Sequence, residues 1–312
     1  MQRKSHQGLR MSTVERSEAI VVVGAGLMGR GIAHGFAAAG FPVSLVDIQP
    51  QSLSAASDAI RAILADGVRL SKISAAQADA AMARVSTGTD LKAVLRARPA
   101  DLLLETASEN LAAKIAIARE ADVLLPSHAV IASNTSALSV TEIACATGRA
   151  DRVLGMHFFN PVHKMKLLEI VRGLGTSDDT VARARAWGEA IGKTSIVVNE
   201  APGLTTSRMS AMMGNEAMYM LMEGIASAED IATALRLGFN HPMGPLELGD
   251  LTGWDTRYAV LQYLHSTLGE KFRPCPLILK LVKAGRFGRK AGKGIYEYVD
   301  GKRVPGSGLS FR

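Results

Sequence analysis

Hydrophobic spacing divides the chain near residue 200. Before that point, short continuous apolar runs alternate with stretches of helical period; after it, only the helical period persists. The first apolar run, Ile20-Val21-Val22-Val23, is β-branched throughout, the pattern of a strand buried on both faces. A helix follows it, then a second strand over Val43–Val46. Helices are predicted over Ser52–Ala65 and Ser74–Ala83, with Ser74 as N-cap, over Glu109–Asp122, and over Asp178–Ile191. Strands are predicted over Asp101–Leu104 (ending at Glu105), Ala129–Ala132, Arg152–Phe158, Lys166–Val171 and Thr194–Val198. Strand signals stop at Pro202-Gly203. Helical stretches Ser207–Met222, Ala228–Leu237, Trp254–Leu268 and Leu277–Ala284 follow, separated by Gly238-Phe239-Asn240-His241-Pro242 and Arg273-Pro274-Cys275-Pro276.

The reading is therefore an α/β N-terminal domain of Rossmann type over residues 18–200, with a helical insertion, and an all-α C-terminal domain over residues 201–312. Residues 1–17 are polar, mostly basic and aperiodic; they are expected to be a disordered extension, with Met11 as an alternative start to Met1.

The first strand runs directly into Gly24-Ala25-Gly26-Leu27-Met28-Gly29. In such a turn Gly24 permits the tight bend, Gly26 lets a pyrophosphate approach the backbone, and Gly29 lets the helix pack close to the sheet. Leu27 and Met28 fall on the helix N-terminus, whose free N–H groups suit phosphate. Asp47 follows Gly29 by 18 residues, near the spacing of an acid that binds an adenosine ribose. Ile48, Gln49 and Pro50 supply no cation for a 2′-phosphate, so the expected cofactor is NAD rather than NADP.

Bulk composition narrows the function classes. The chain has 312 residues, 47% hydrophobic and 21% charged, as expected of a globular protein long enough for two domains. No apolar run is long enough to span a membrane. Cys145 and Cys275 have no metal-ligand spacing, so neither a metal site nor a disulfide framework is expected, and a reducing cytoplasm fits. The net charge of +7 comes from scattered basic residues with 5% aromatics, which argues against nucleic acid and suits either a solvated surface or a phosphate-rich ligand. Arg61, Arg69 and Lys72 lie in the helical insertion; solvated cations and holders of an anionic substrate portion are equally good readings.

A dehydrogenase also needs a base for the hydroxyl proton, and histidine titrates in the right range. Of seven histidines, His157 ends a strand and opens His157-Phe158-Phe159-Asn160-Pro161. Glu169 stands 12 residues later, between Leu168 and Ile170. If the two strands pair antiparallel, its carboxylate faces the imidazole and fixes its tautomer; from spacing alone a purely structural pair is the first reading. The cluster Ser133-Asn134-Thr135-Ser136 ends another strand, at the sheet edge where ligands bind.

With these residues in view, the chain resembles the L-3-hydroxyacyl-CoA dehydrogenase family from about Ser17 to Tyr298. The matching motifs are VVVGAGLMGRGIA, ETASENLAAK, SNTSAL, GMHFFNPVHKMKLLEIV, PGLTTSR, LGFNHPMGPLELGDLTGWD and GRKAGKGIYEY. The resemblance implies NAD-dependent, reversible oxidation of a 3-hydroxyacyl-CoA, most simply 3-hydroxybutyryl-CoA. It implies that His157 is the acid–base, that Glu169 holds it, and that Ser136 and Asn160 bond the substrate oxygen or the nicotinamide side. It places Glu109 and Lys114 against NAD, where their own context reads as an exposed helix pair. It aligns Arg61 and Lys72 with a segment that contacts CoA, and implies a homodimer through the helical domain. One position departs: the sixth residue of PGLTTSR is Ser207, where the family commonly has asparagine for the acyl portion. Ser207 also reads as an N-cap, and Arg208 as half of a helix-end ion pair. Two other functions remain open: a dehydrogenase of a free hydroxy acid of gulonate or carnitine type, and a non-catalytic NAD-binding protein.

Overall fold

In a computed structural model, residues 16–310 are described. The expected extension and both candidate start methionines lie outside the described residues, apart from Arg16 and Ser17. Arg16 is anchored: its N–H donates to Gly40 O (3.1 Å), Nε donates to Ala39 O (3.3 Å), and its guanidinium lies 4.8 Å from the Phe41 ring centre.

The chain forms two compact units, one ending at Glu200 and the other beginning at Ala201. The first runs β1 (Ile20–Val23), α1 (Leu27–Ala38), β2 (Val43–Val46), α2 (Pro50–Arg69), α3 (Ala75–Ala83), β3 (Val85–Gly88), α4 (Leu91–Ala97), β4 (Leu102–Glu105), α5 (Leu111–Asp122), β5 (Val130–Ser133), α6 (Val140–Cys145), β6 (Val153–Phe158), β7 (Leu167–Arg172), α7 (Asp178–Ala190) and β8 (Thr194–Asn199). The strands build one sheet in the order β3-β2-β1-β4-β5-β6-β7-β8. All neighbours are parallel except β6 and β7, which pair antiparallel. The central strands β1, β2, β4, β5 and β6 are buried along their whole length, as their apolar runs require. Strand order reverses between β1 and β4, so the ends of β1, β4, β5 and β6 open on the edge where such sheets bind ligands.

The helical insertion is the crossover from β2 to β3, made of α2 and α3. Ser74 caps α3 through a reciprocal pair of bonds with Gln77, an arrangement that satisfies two helix-end donors.

The second unit contains α8 (Thr206–Met222), α9 (Ala228–Gly238), α10 (Pro245–Thr252), α11 (Trp254–Leu268) and α12 (Pro276–Lys283). It is not wholly helical: β9 (Tyr298–Val299) and β10 (Lys302–Arg303) form a short hairpin. Its core includes Met218, Trp254, Leu261, Leu264, Ile278 and Tyr296. Asp250 of α10 is fully buried in it, accepting from Trp254 Nε1 (2.6 Å), Ile295 N (2.8 Å), Tyr296 N (2.9 Å) and Tyr298 Oη (3.1 Å). One carboxylate thus fastens the GRKAGKGIYEY segment to the helices.

Candidate active site

The glycine turn after β1 meets the demands of a bound pyrophosphate. Gly24 has φ +102°, and a Cβ there would lie 2.8 Å from the main chain at Thr106. A Cβ on Gly29 would lie 1.8 Å from Gly24 O, so only glycine lets α1 start this close to the strand. A Cβ on Gly26, by contrast, meets nothing within 4 Å. The space above Gly26 is open, beside Leu27 and Met28, whose N–H groups precede any helical acceptor. No acidic residue occupies the first turn of α1, so its positive end is uncompensated and suits an anion.

Asp47, just past β2, accepts from Ala25 N through Oδ2 (2.8 Å) and from Gln49 N through Oδ1 (2.9 Å). The first bond ties the acid to the glycine turn. The residues present therefore fit a dinucleotide.

Two strands along, the ends of β4 and β5 share a buried charge network. Glu105 accepts from Ala107 N (2.6 Å), Ser133 Oγ (2.6 Å) and Lys114 Nζ (2.9 and 3.0 Å). The Lys114 ammonium also lies 3.3 Å from Glu109 Oε2. Glu109 Oε1 in turn accepts from Thr135 Oγ1 (2.6 Å) and Ser136 N (3.0 Å). Lys114 is 1% exposed, so it is not half of an exposed helix pair. Its cost of burial is offset by the two carboxylates, and breaking such a pair costs about 3–5 kcal/mol. Glu109 lies before α5 rather than in it, because Asn110 caps that helix.

The sequence had pointed past Glu105, Asn134 and Thr135. All three lie in quoted motifs, but their partners come from other segments of the chain. Asn134 Oδ1 accepts from Phe158 N (2.8 Å), which ties the Ser136 loop to the end of β6.

That end carries His157. The register of β6 and β7 sets His157 directly opposite Glu169, and Nδ1 lies 2.7 Å from Oε2. Glu169 is 0% exposed and His157 8%. A buried carboxylate on Nδ1 holds the proton there, which leaves Nε2 as the exchanging nitrogen. Among the described residues Nε2 has no partner. The Phe159 ring packs against the imidazole, with centroids 4.6 Å apart. Asn160 is exposed and precedes the cis bond to Pro161.

Other expected residues stand elsewhere. Arg61 is exposed and paired with Asp58 (2.9 Å), and Arg69 with Asp66 (2.9 Å). Lys72 is exposed and, among the described residues, has no carboxylate partner. Ser207, in the second unit, is not an N-cap: α8 begins after Thr205, which puts Ser207 inside its first turn. Arg208 makes no helix-end ion pair among the described residues; its guanidinium lies 5.7 Å from the Phe272 ring centre. No metal-binding cluster occurs among the described residues.

Two family models match this chain. "3-hydroxyacyl-CoA dehydrogenase, NAD binding domain" covers residues 19–201, and "3-hydroxyacyl-CoA dehydrogenase, C-terminal domain" covers residues 203–298. The chain is 44% identical over 282 residues to a protein of Bacillus subtilis named probable 3-hydroxybutyryl-CoA dehydrogenase, covering 90% of this chain and 97% of that one. Among solved structures, (S)-3-hydroxybutyryl-CoA dehydrogenase from Ralstonia eutropha superposes with a TM-score of 0.87 at 39% identity, covering 91% and 99% of the two chains. A diketoreductase described as acting on dicarbonyl compounds superposes with a TM-score of 0.78 at 27% identity, covering 93% and 99%.

Proposed function

Since the chain belongs to the 3-hydroxyacyl-CoA dehydrogenase family of NAD-dependent oxidoreductases, we propose that it interconverts 3-hydroxybutyryl-CoA and acetoacetyl-CoA. The observation that carries this reading is the buried His157–Glu169 pair, 2.7 Å apart at the end of β6. NAD, when bound, supplies the hydride acceptor. His157 Nε2 takes the C3 hydroxyl proton in oxidation and returns it in reduction. Glu169 keeps the proton on Nδ1 and stabilises the imidazolium that forms. Asn160 and Ser136 donate to the substrate oxygen, the latter held in place by Glu109. Gly24, Gly26, Leu27, Met28 and Gly29 cradle the pyrophosphate, and Asp47 accepts from the adenosine ribose. The acid makes NADH the preferred reductant over NADPH.

The CoA portion is assigned to Lys72 in preference to Arg61, because Asp58 already neutralises Arg61. Ser207 is assigned to the acyl end, because its hydroxyl, like the asparagine amide it replaces, both donates and accepts a hydrogen bond. The names of the relatives favour the four-carbon substrate. A homodimer is supported by the exposed apolar side chains of the second unit, among them Met209, Ile225, Leu237 and Phe239. Light scattering at a mass of two chains checks it. A cytoplasmic site is supported by the two free cysteines.

The deciding assay follows NADH loss with acetoacetyl-CoA, beside free acetoacetate and with NADPH as a control. His157→Ala and Glu169→Ala are expected to lower kcat by roughly 100-fold or more while NADH still binds. Near-normal turnover of His157→Ala removes the acid–base assignment. The diketoreductase likeness favours a second reading, reduction of a free dicarbonyl compound; turnover of acetoacetate without CoA selects it. NADH binding without turnover of either compound selects a non-catalytic role.

A further inference from the structure

Lys193, immediately before β8, lies outside the site described above, yet its side chain is only 8% exposed. Among the described residues no carboxylate pairs with it. Its ammonium donates instead to two main-chain carbonyls, Val162 O and Met165 O, the latter at 2.7 Å. Burial pulls its pKa down to about 8. A lysine desolvated without an anion is a costly choice at this position, and both acceptors lie in one short segment. That segment is the connection from β6 to β7, residues 159–166. It begins two residues after His157 and ends three before Glu169.

Several contacts shape the same connection. Lys164 N and Met165 N both donate to Pro161 O (2.9 and 3.0 Å), and Thr194 N donates to Lys166 O (2.8 Å). Val162, 3% exposed, packs over Gly31 of α1, where a Cβ would come within 3.0 Å of its own. One turn further along α1, His34 meets His163 edge-on, with ring centroids 6.2 Å apart. The antiparallel ladder fixes His157 against Glu169, but the ladder stops at Phe158 and Leu168. Beyond it the position of Asn160, and the angle at which the two strands enter the turn, depend on what grips the connection. Lys193 grips the turn at two points, Val162 O and Met165 O, and the Val162 side chain anchors it to the helix that follows the glycine turn.

We propose that Lys193 is a positioning residue for the reaction: clamped on the carbonyls of Val162 and Met165, its ammonium fixes the β6–β7 connection and, through it, Asn160 and the His157–Glu169 pair. The proposal rests on His157 as the acid–base. A shift of about 1 Å in such a group costs roughly 100-fold in rate.

The test is a double-mutant cycle between Lys193→Met, which keeps the length and removes the donors, and His157→Ala. Rates are measured with NADH and acetoacetyl-CoA, under single turnover where they are slow. Lys193→Met is expected to lower kcat by roughly 10- to 100-fold with the NADH dissociation constant within about twofold of wild type. On the His157→Ala background the same change is expected to cost less than about threefold, because the group it positions is gone. A kcat within about threefold of wild type overturns the proposal, as does an equal loss on both backgrounds, which is the signature of general structural damage. If Lys193→Met does not yield folded protein, Lys193→Gln, which keeps an N–H donor, is taken through the same cycle. If His157→Ala turns over normally, the acid–base assignment is what fails, and Asn160→Ala replaces it in the cycle.

Discussion

A histidine buried beside cationic neighbours must stay neutral for the chain to stay folded, and His34 is in that position. Burial, then His163 and Lys193, push its pKa down to about 4. His163 is lowered too, by burial and by Lys164, Lys193 and Lys72, with Asp66 opposing. The unfolded chain titrates His34 near 6.5, so between about pH 6.5 and 4 it binds a proton that the folded chain refuses. His34 therefore favours folding fully above pH 6.5, and stability drains away as pH falls toward 4. His34→Phe is expected to remove about 1.4 kcal/mol per pH unit of that slope, read from urea unfolding between pH 6.5 and 4.5. Parallel curves for the two proteins reject the argument. The position of His34 inside the first helix was legible in the sequence; its neighbours were not, since His163 and Lys193 arrive from distant segments. His157 and Glu169 were legible because two consecutive strands bring them together across one short turn. Lys193 gave no signal, because a lysine before a strand looks like any other.

Among the elements, the glycine turn makes the sharpest demands, and its three glycines differ in kind. Gly24 and Gly29 are required by the fold itself, one through φ +102° and both through collisions with main chain. Gly26 sits at φ −67° with open space around it, so only a ligand requires it to be glycine. Gly26→Val is expected to cost the free protein no more than about 1 kcal/mol, the scale of a poorer N-cap, while abolishing NADH binding in a fluorescence titration. Gly29→Val is expected to unfold the protein or weaken it severely, because nothing near Gly24 O can yield. The reverse pattern contradicts the turn's assigned role. This turn was legible because its spacing is local.

The elements that were missed share physical reasons for silence. β3 reads VSTG, a half-exposed edge strand with one large apolar residue. α4 and α6 have seven and six residues, too few to display a helical period. α10 contains Gly249, which reads as a turn; in the fold a Cβ there would come within 2.3 Å of the Trp254 ring. Ser207 looked like a cap because the helix start at Thr206 has no side-chain cap to mark it.

At the scale of the whole molecule, each unit buries its own apolar cluster, and the residues fitted to the dinucleotide all belong to the first. Cofactor binding and the core of the second unit can therefore be perturbed separately. NADH at a hundredfold its dissociation constant stabilises the state it binds by about 2.7 kcal/mol. Asp250 anchors the second unit through four donors, and burial raises its pKa against their pull. Asp250→Asn turns an amide N–H₂ toward groups that need an acceptor, at about 1–3 kcal/mol for each one left unpaired. Calorimetry of Asp250→Asn is expected to show melting lowered by several degrees, with the NADH-induced rise unchanged in size. Gly26→Val is expected to show the complement, melting lowered by no more than about 2–4 °C without cofactor and no rise with it. Loss of the NADH response in Asp250→Asn requires the second unit to take part in holding the cofactor, and the assignment to the glycine turn and Asp47 alone then falls.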